Sequence, residues 1–188
     1  MRKAITTLLV VGLALAAASG ATAKQKRPTV TICHRGQTIV VRVGTVPGHV
    51  RHGDTLGSCR TLFPAHFVRL HANLQPVAGA TGHGVATVAI GGVGRFTFLC
   101  FQLRVTGVNA TAAHIHTAVA QTIGNTSFAA NAIVVPLTTP NASGLSRGCM
   151  RVSKAISKAL VTTPGNFYVN VHSAAFPGGQ VQGTLTKA

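Results

Sequence analysis

The run Arg95 to Val105 is apolar on both of its alternating faces. Phe96, Phe98 and Cys100 fall on one side of an extended chain; Leu99, Phe101, Leu103 and Val105 fall on the other. A strand of this kind needs cover above and below, which places it at the centre of a sheet. Shorter β-type segments surround it: His66 to Leu74, Val85 to Ile90, a strand beginning at His114-Ile115-His116, Ala132 to Leu137, Phe167 to His172 and Gln180 to Leu185. Pro-Gly and Gly-Gly breaks separate them, at Pro76 to Gly82, Gly91-Gly92, Thr138 to Gly144 and Pro177-Gly178-Gly179. Arg151 to Val161 is the one helical stretch, with Val152, Ile156 and Leu160 at i, i+4, i+8 and Pro164-Gly165 stopping it. This spacing predicts an all-β, antiparallel sandwich with one short helix.

Ahead of the sandwich lies an export signal. Arg2 and Lys3 precede an uncharged apolar run from Ala4 to about Ala18, and Ala21-Thr22-Ala23 is a small-residue cleavage pattern. The run is too short to span a bilayer comfortably. The expected division is a signal peptide over 1–23, a basic stub over 24–28, a small β-rich unit over 29–60, a linker or first strand over 61–69, and the sandwich over 70–188. No transmembrane segment is expected after cleavage, and the mature protein is expected to be secreted or held in the cell envelope.

Export bears on the four cysteines, because an oxidising compartment favours two disulfides. Three pairings are possible. A unit of about 30 residues cannot bury enough apolar surface to be stable alone, so an internal staple between Cys33 and Cys59, near its two ends, is expected.

Of 17 Lys and Arg, Arg2 and Lys3 leave with the signal, so 15 remain against one acid, Asp54. A field of that sign favours anionic partners, anionic polymers among them. With no Trp and one Tyr, the surface for base stacking is thin, and specific nucleic-acid recognition is not expected.

The C-terminal two-thirds carries an ordered series: Phe98-Leu99-Cys100-Phe101, Ala113-His114-Ile115-His116, Gly148-Cys149, Asn166-Phe167-Tyr168-Val169-Asn170-Val171-His172, and Phe176 to Leu185. Over roughly residues 70 to 187 this resembles the chordin-type (CHRD) domain of bacterial secreted proteins. The resemblance implies an Ig-like two-sheet fold, supports a Cys100–Cys149 bridge, and brings no established enzymatic activity. Ala118 stands where the family usually has glycine after His-x-His-x, and the closing motif reads Gln182-Gly183-Thr184-Leu185. The marks Val30 to His34 and His49 to Cys59 resemble a small module of bacterial envelope proteins, which implies no function.

Two sites follow from side-chain chemistry. His114 and His116 share a strand face, and His172 lies on a second strand. If those strands face each other, three imidazoles converge on Cu or Zn with a position left open. Cu/Zn superoxide dismutase also sets His-x-His on a β-sandwich, an analogy of fold alone. The alternative is that these histidines hydrogen-bond backbone and Asn170. A second, weaker candidate is His34, His49, His52 and Asp54, although Asp54 is equally suited to capping amides at Gly57 or Ser58, or to pairing with Arg51 or a histidine. No catalytic residues are assigned: one carboxylate leaves no acid–base pair, and no phosphate-binding fingerprint is present. Three function classes result. The chain is read first as a non-enzymatic extracellular or envelope binding module of unknown ligand. The others are a Cu/Zn metalloprotein and a polyanion-binding surface protein.

Overall fold

The computed structural model describes residues 27–61 and 63–188. The expected signal peptide and residues 24–26 of the basic stub lie outside the described residues. The N-terminal unit starts with a hairpin of β1 (Thr29–His34) and β2 (Gln37–Arg42). Its two turn residues, Arg35 and Gly36, have φ of 47° and 81°, the left-handed backbone that a two-residue hairpin turn of this hand demands. Helix α1 (Val46–Arg51) follows, and β3 (Thr55–Leu56) pairs back onto β1. Pro47-Gly48 sits in the first turn of α1. Proline is tolerated there because its missing N–H would have no helical acceptor anyway. Cys33 is bridged to Cys59.

The remainder runs β4 (Val68–Pro76), β5 (His83–Val93), β6 (Phe96–Thr106), β7 (Ala110–Thr117), β8 (Gln121–Ile123), β9 (Thr126–Phe128), β10 (Ile133–Leu137), β11 (Leu145–Arg151), α2 (Lys154–Thr162), β12 (Phe167–Ser173), β13 (Val181–Thr184) and β14 (Thr186–Lys187). Every pairing is antiparallel, in the order β10-β7-β12-β13-β4-β5-β6-β11, with β14 also against β4 and β8–β9 a separate hairpin. The two halves of this ladder face each other across a core that includes Leu70, Val88, Leu99, Phe101, Ile115 and Val169, and Leu160 of α2 packs into it. The result is the expected all-β sandwich, close to a barrel. The helix starts three residues later than its periodicity suggests. Arg151 is the last residue of β11, and Ser153 caps α2 by accepting the Ile156 N–H. The sequence predicts no strand over β11, because Arg147, Gly148 and Arg151 dilute its alternation. It pairs with β6 so that Cys149 stands opposite Cys100, and the two are bridged.

A second apolar core explains the two-faced strand. Phe98, Cys100 and Cys149 point to the outer side of the β5–β6–β11 sheet, where they meet Ile32, Val46 and Leu56 of the N-terminal unit together with Phe63, Phe67 and Val93. The Leu56 N–H also donates to Cys149 Sγ at 3.4 Å. The small unit therefore rests on the sandwich as well as on its own bridge. Phe98 is fully buried at this joint. Phe98→Ala is expected to cost about 3–5 kcal/mol. Urea denaturation followed by far-UV and near-UV signals should still give one coincident transition. Two separate transitions in the parent protein would contradict a shared core.

Candidate functional site

On β7, Ala113 and Ile115 point into the core, which sends His114 and His116 to the opposite face. On β12, Phe167, Val169 and Val171 point inward and Tyr168, Asn170 and His172 outward. The strands are antiparallel neighbours, with His114 opposite Asn170 and His116 opposite Tyr168. Three imidazoles thus share one patch on the outside of the sheet. A ring nitrogen of each lies within 4.8 Å of the others. Ring centroids are 5.4 Å apart for His114–His116, 5.0 Å for His114–His172 and 5.8 Å for His116–His172.

The outer face of a sandwich sheet is normally wet, yet His116 is 6% exposed, His172 9% and Asn170 1%. Two turns fold over them. The 177–179 turn brings the Pro177 carbonyl to 2.9 Å from His172 Nδ1, while Asn170 Nδ2 donates to the Gly178 carbonyl at 3.0 Å. Gly179 has φ of 127°, and a Cβ there would lie 2.2 Å from Asn170 Oδ1, so only glycine lets the turn come this close. The second turn carries Asn131, itself at φ 63°, whose carbonyl sits 2.8 Å from His116 Nδ1.

Carbonyls only accept, so His116 and His172 both carry a proton on Nδ1, which leaves Nε2 as the lone-pair nitrogen of the neutral ring. His172 Nε2 is 3.1 Å from His114 Nδ1. His116 Nε2 is buried and has no hydrogen-bond partner among the described residues. Burial holds His114 below the ordinary histidine pKa, and the neighbouring His172 and His116 push it further. His116 is lowered mainly by burial, with the Asn131 carbonyl opposing and His172 adding to the effect. Both are neutral near pH 7, the state a metal ligand requires. The 3.1 Å separation also suits a shared ion, since two nitrogens each about 2.0–2.1 Å from a metal stand roughly 2.9–3.4 Å apart at ordinary bond angles.

Tyr168 and Asn131 escaped the sequence reading. Tyr168 stacks on His116 at 5.2 Å and 17°, and its hydroxyl donates to Asn131 Oδ1 at 3.2 Å. Burial raises its pKa, so it stays a neutral phenol. Its period-two spacing from Asn170 and His172 was the available signal. Asn131 lies in a loop and gave none. The expectation that histidines bond to Asn170 is not met, because Asn170 turns to Gly178 and leaves its Oδ1 unpaired. The larger surface hollows, of about 550, 520 and 460 Å³, are lined by other residues.

The second candidate gathers differently. Asp54 Oδ2 accepts from His34 Nδ1 at 2.6 Å and from His49 Nδ1 at 2.9 Å, tying the end of β1 to α1. His52, at the end of α1, is not among these residues. Asp54 takes these two histidines instead of the Gly57 or Ser58 amides or Arg51, and the Gly57 N–H goes to the Thr31 carbonyl.

Comparison with known families fits this architecture. Residues 67–185 match the CHRD domain. The chain belongs to the CHRD domain family. No curated protein and no solved structure matches it significantly. The matched CHRD region holds all three clustered histidines and the Cys100–Cys149 bridge, while His34, His49 and Asp54 lie ahead of it.

Burial raises the Asp54 pKa, but the hydrogen bonds from His34 and His49, with the charges of both rings, outweigh it and hold the carboxyl below its ordinary value. A carboxylate lowered on folding stabilises the protein fully above its unfolded pKa of about 3.9, and that stability is lost as pH falls through the lower folded value. Asp54→Ala is therefore expected to cost about 2 kcal/mol at pH 7. The gap between variant and parent should narrow as pH drops below about 4. Urea melts at both pH values measure this, and an unchanged gap would contradict the ion-pair role.

Proposed function

We propose that this CHRD protein is an exported, non-enzymatic binding module that holds one transition-metal ion, copper or zinc, through His114, His116 and His172. The observation that carries the reading is the unpartnered, buried His116 Nε2 inside a cluster whose tautomers are set by backbone carbonyls. An orphaned buried acceptor costs about 1–3 kcal/mol, and an ion ligated there would satisfy it. Metal-bound histidines usually donate their second N–H to an outer partner. The Asn131 and Pro177 carbonyls fill that role where the chain has no carboxylate to spare. Three imidazole nitrogens suit copper and zinc, and copper should bind more tightly by the general affinity order of divalent metals.

Export is supported by the signal pattern and by the two disulfides. No helix among the described residues is long and apolar enough to cross a membrane. A non-enzymatic role is supported by the single acid, Asp54, already committed to His34 and His49.

Untagged protein titrated with Cu(II) and with Zn(II) by calorimetry should bind about one equivalent. His116→Ala and His172→Ala should each weaken binding at least tenfold, roughly the loss expected when a ligand or its support is removed. Unchanged stoichiometry and affinity in both variants, with their far-UV spectra intact, would rule the site out.

A further inference from the structure

Asp54 is the only acidic side chain, is almost wholly buried, and already accepts from two histidines. No guanidinium on the surface therefore has a side-chain carboxylate of this chain to neutralise it. Most arginines are spread apart, and solvent and salt suffice for them. One group is not spread. At the joint between the N-terminal unit and the sandwich, Arg27, Arg42 and Arg95 line a cavity of about 520 Å³ together with Phe96. The Phe96 ring also has two guanidinium carbons close to it, Arg95 at 5.1 Å and Arg151 at 4.8 Å from its centroid. Those two like charges consequently lie within about 10 Å of each other, comparable to the screening length at physiological salt. The folded chain brings them together from different places: Arg95 from the β5–β6 turn, Arg151 from the end of β11. Arg42 and Arg27 come from the other side of the joint, where Gly94 abuts the Val43 side chain so closely that a Cβ would lie 2.6 Å from it. Arg27, Arg42 and Arg95 thus line one cavity, and Arg151 stands beside its Phe96 wall, all without a side-chain carboxylate to pair with.

We propose that Arg27, Arg42, Arg95 and Arg151, arranged around Phe96, form a docking site for an acidic polysaccharide bearing carboxylate or sulfate groups. Planar guanidiniums match either group in paired hydrogen bonds, and stacking on an aromatic ring holds them in a fixed orientation. A linear glycan can cross the joint and meet arginines of both units in turn. Single-stranded nucleic acid fits less well, since bases need free aromatic faces. Phe96 is approached by guanidiniums, and the only tyrosine, Tyr168, is stacked on His116.

The test uses the mature protein with both disulfides formed. Binding to polygalacturonate and to heparin is measured by calorimetry at physiological salt, with a DNA duplex as a third ligand. The carboxylated and sulfated polymers distinguish which group is preferred, and binding to either supports the site. The double variant Arg95→Gln/Arg151→Gln should weaken glycan binding at least tenfold. Lys154→Gln/Lys158→Gln, which removes the same charge from the exposed face of α2, should weaken it less than twofold. Equal losses in the two variants would reduce the effect to net charge and overturn the proposal. Binding of the duplex as tightly as either glycan, or no binding of the glycans, would also overturn it.

Discussion

Strand β6 is buried from both sides, and most of the molecule is arranged to make that possible. Its inward residues, Leu99, Phe101, Leu103 and Val105, fill the space between the two halves of the sheet. Its outward residues, Phe98 and Cys100, would expose a large apolar surface if the sandwich stood alone. The N-terminal unit covers that surface with Ile32, Val46 and Leu56. The dependence runs in both directions. The unit is too short to make a core, and the sheet is too apolar on its outer side to remain bare. The Cys100–Cys149 bridge lies on this covered side, linking the two adjacent strands on which the unit sits.

The opposite half of the ladder solves the same problem with polar chemistry. Strands β7 and β12 also carry residues on their outer face, but no apolar unit among the described residues covers them. The face holds His114, His116, Asn170 and His172, and two short turns close over it, their carbonyls accepting from His116, Asn170 and His172. Those turns depend on backbone that few residues adopt, Gly179 at φ 127° and Asn131 at φ 63°. Strained backbone that shelters imidazoles, and leaves one nitrogen unmatched, is more than the stability of a sheet requires.

Residue patterns revealed much of this and missed specific parts of it. Two-sided apolarity in 95–105 indicated a covered central strand, but nothing local named the cover, because Ile32, Val46 and Leu56 are ordinary apolar residues about 40 or more positions away. The same-face spacing of His114 and His116 was legible, as was the membership of His172 in another strand. Their meeting depended on β12 lying beside β7, a pairing set by tertiary topology. Strand β11 was hidden by its arginines, and α1 by Pro47-Gly48, which marks a turn in most contexts and a helix start in this one. Asn131 contributes through a backbone carbonyl, and carbonyl positions leave no trace in side-chain identity.

The scarcity of acid unites these features. One carboxylate serves the whole chain, and it is spent on holding β1 against α1 through two histidines. The three-histidine patch must then orient its rings with neutral carbonyl dipoles, which raise imidazole basicity less than a carboxylate does. A cation entering such a site gains little from charge and must be held by the nitrogen donors themselves, in a surrounding field that is already positive. That penalty weighs on every divalent ion equally, so selection falls to the strength of the metal–imidazole bond, where copper exceeds zinc. The same deficit acts at the joint between the units. There it leaves four guanidiniums without a side-chain carboxylate of this chain to pair with, and the counter-charge has to come from outside.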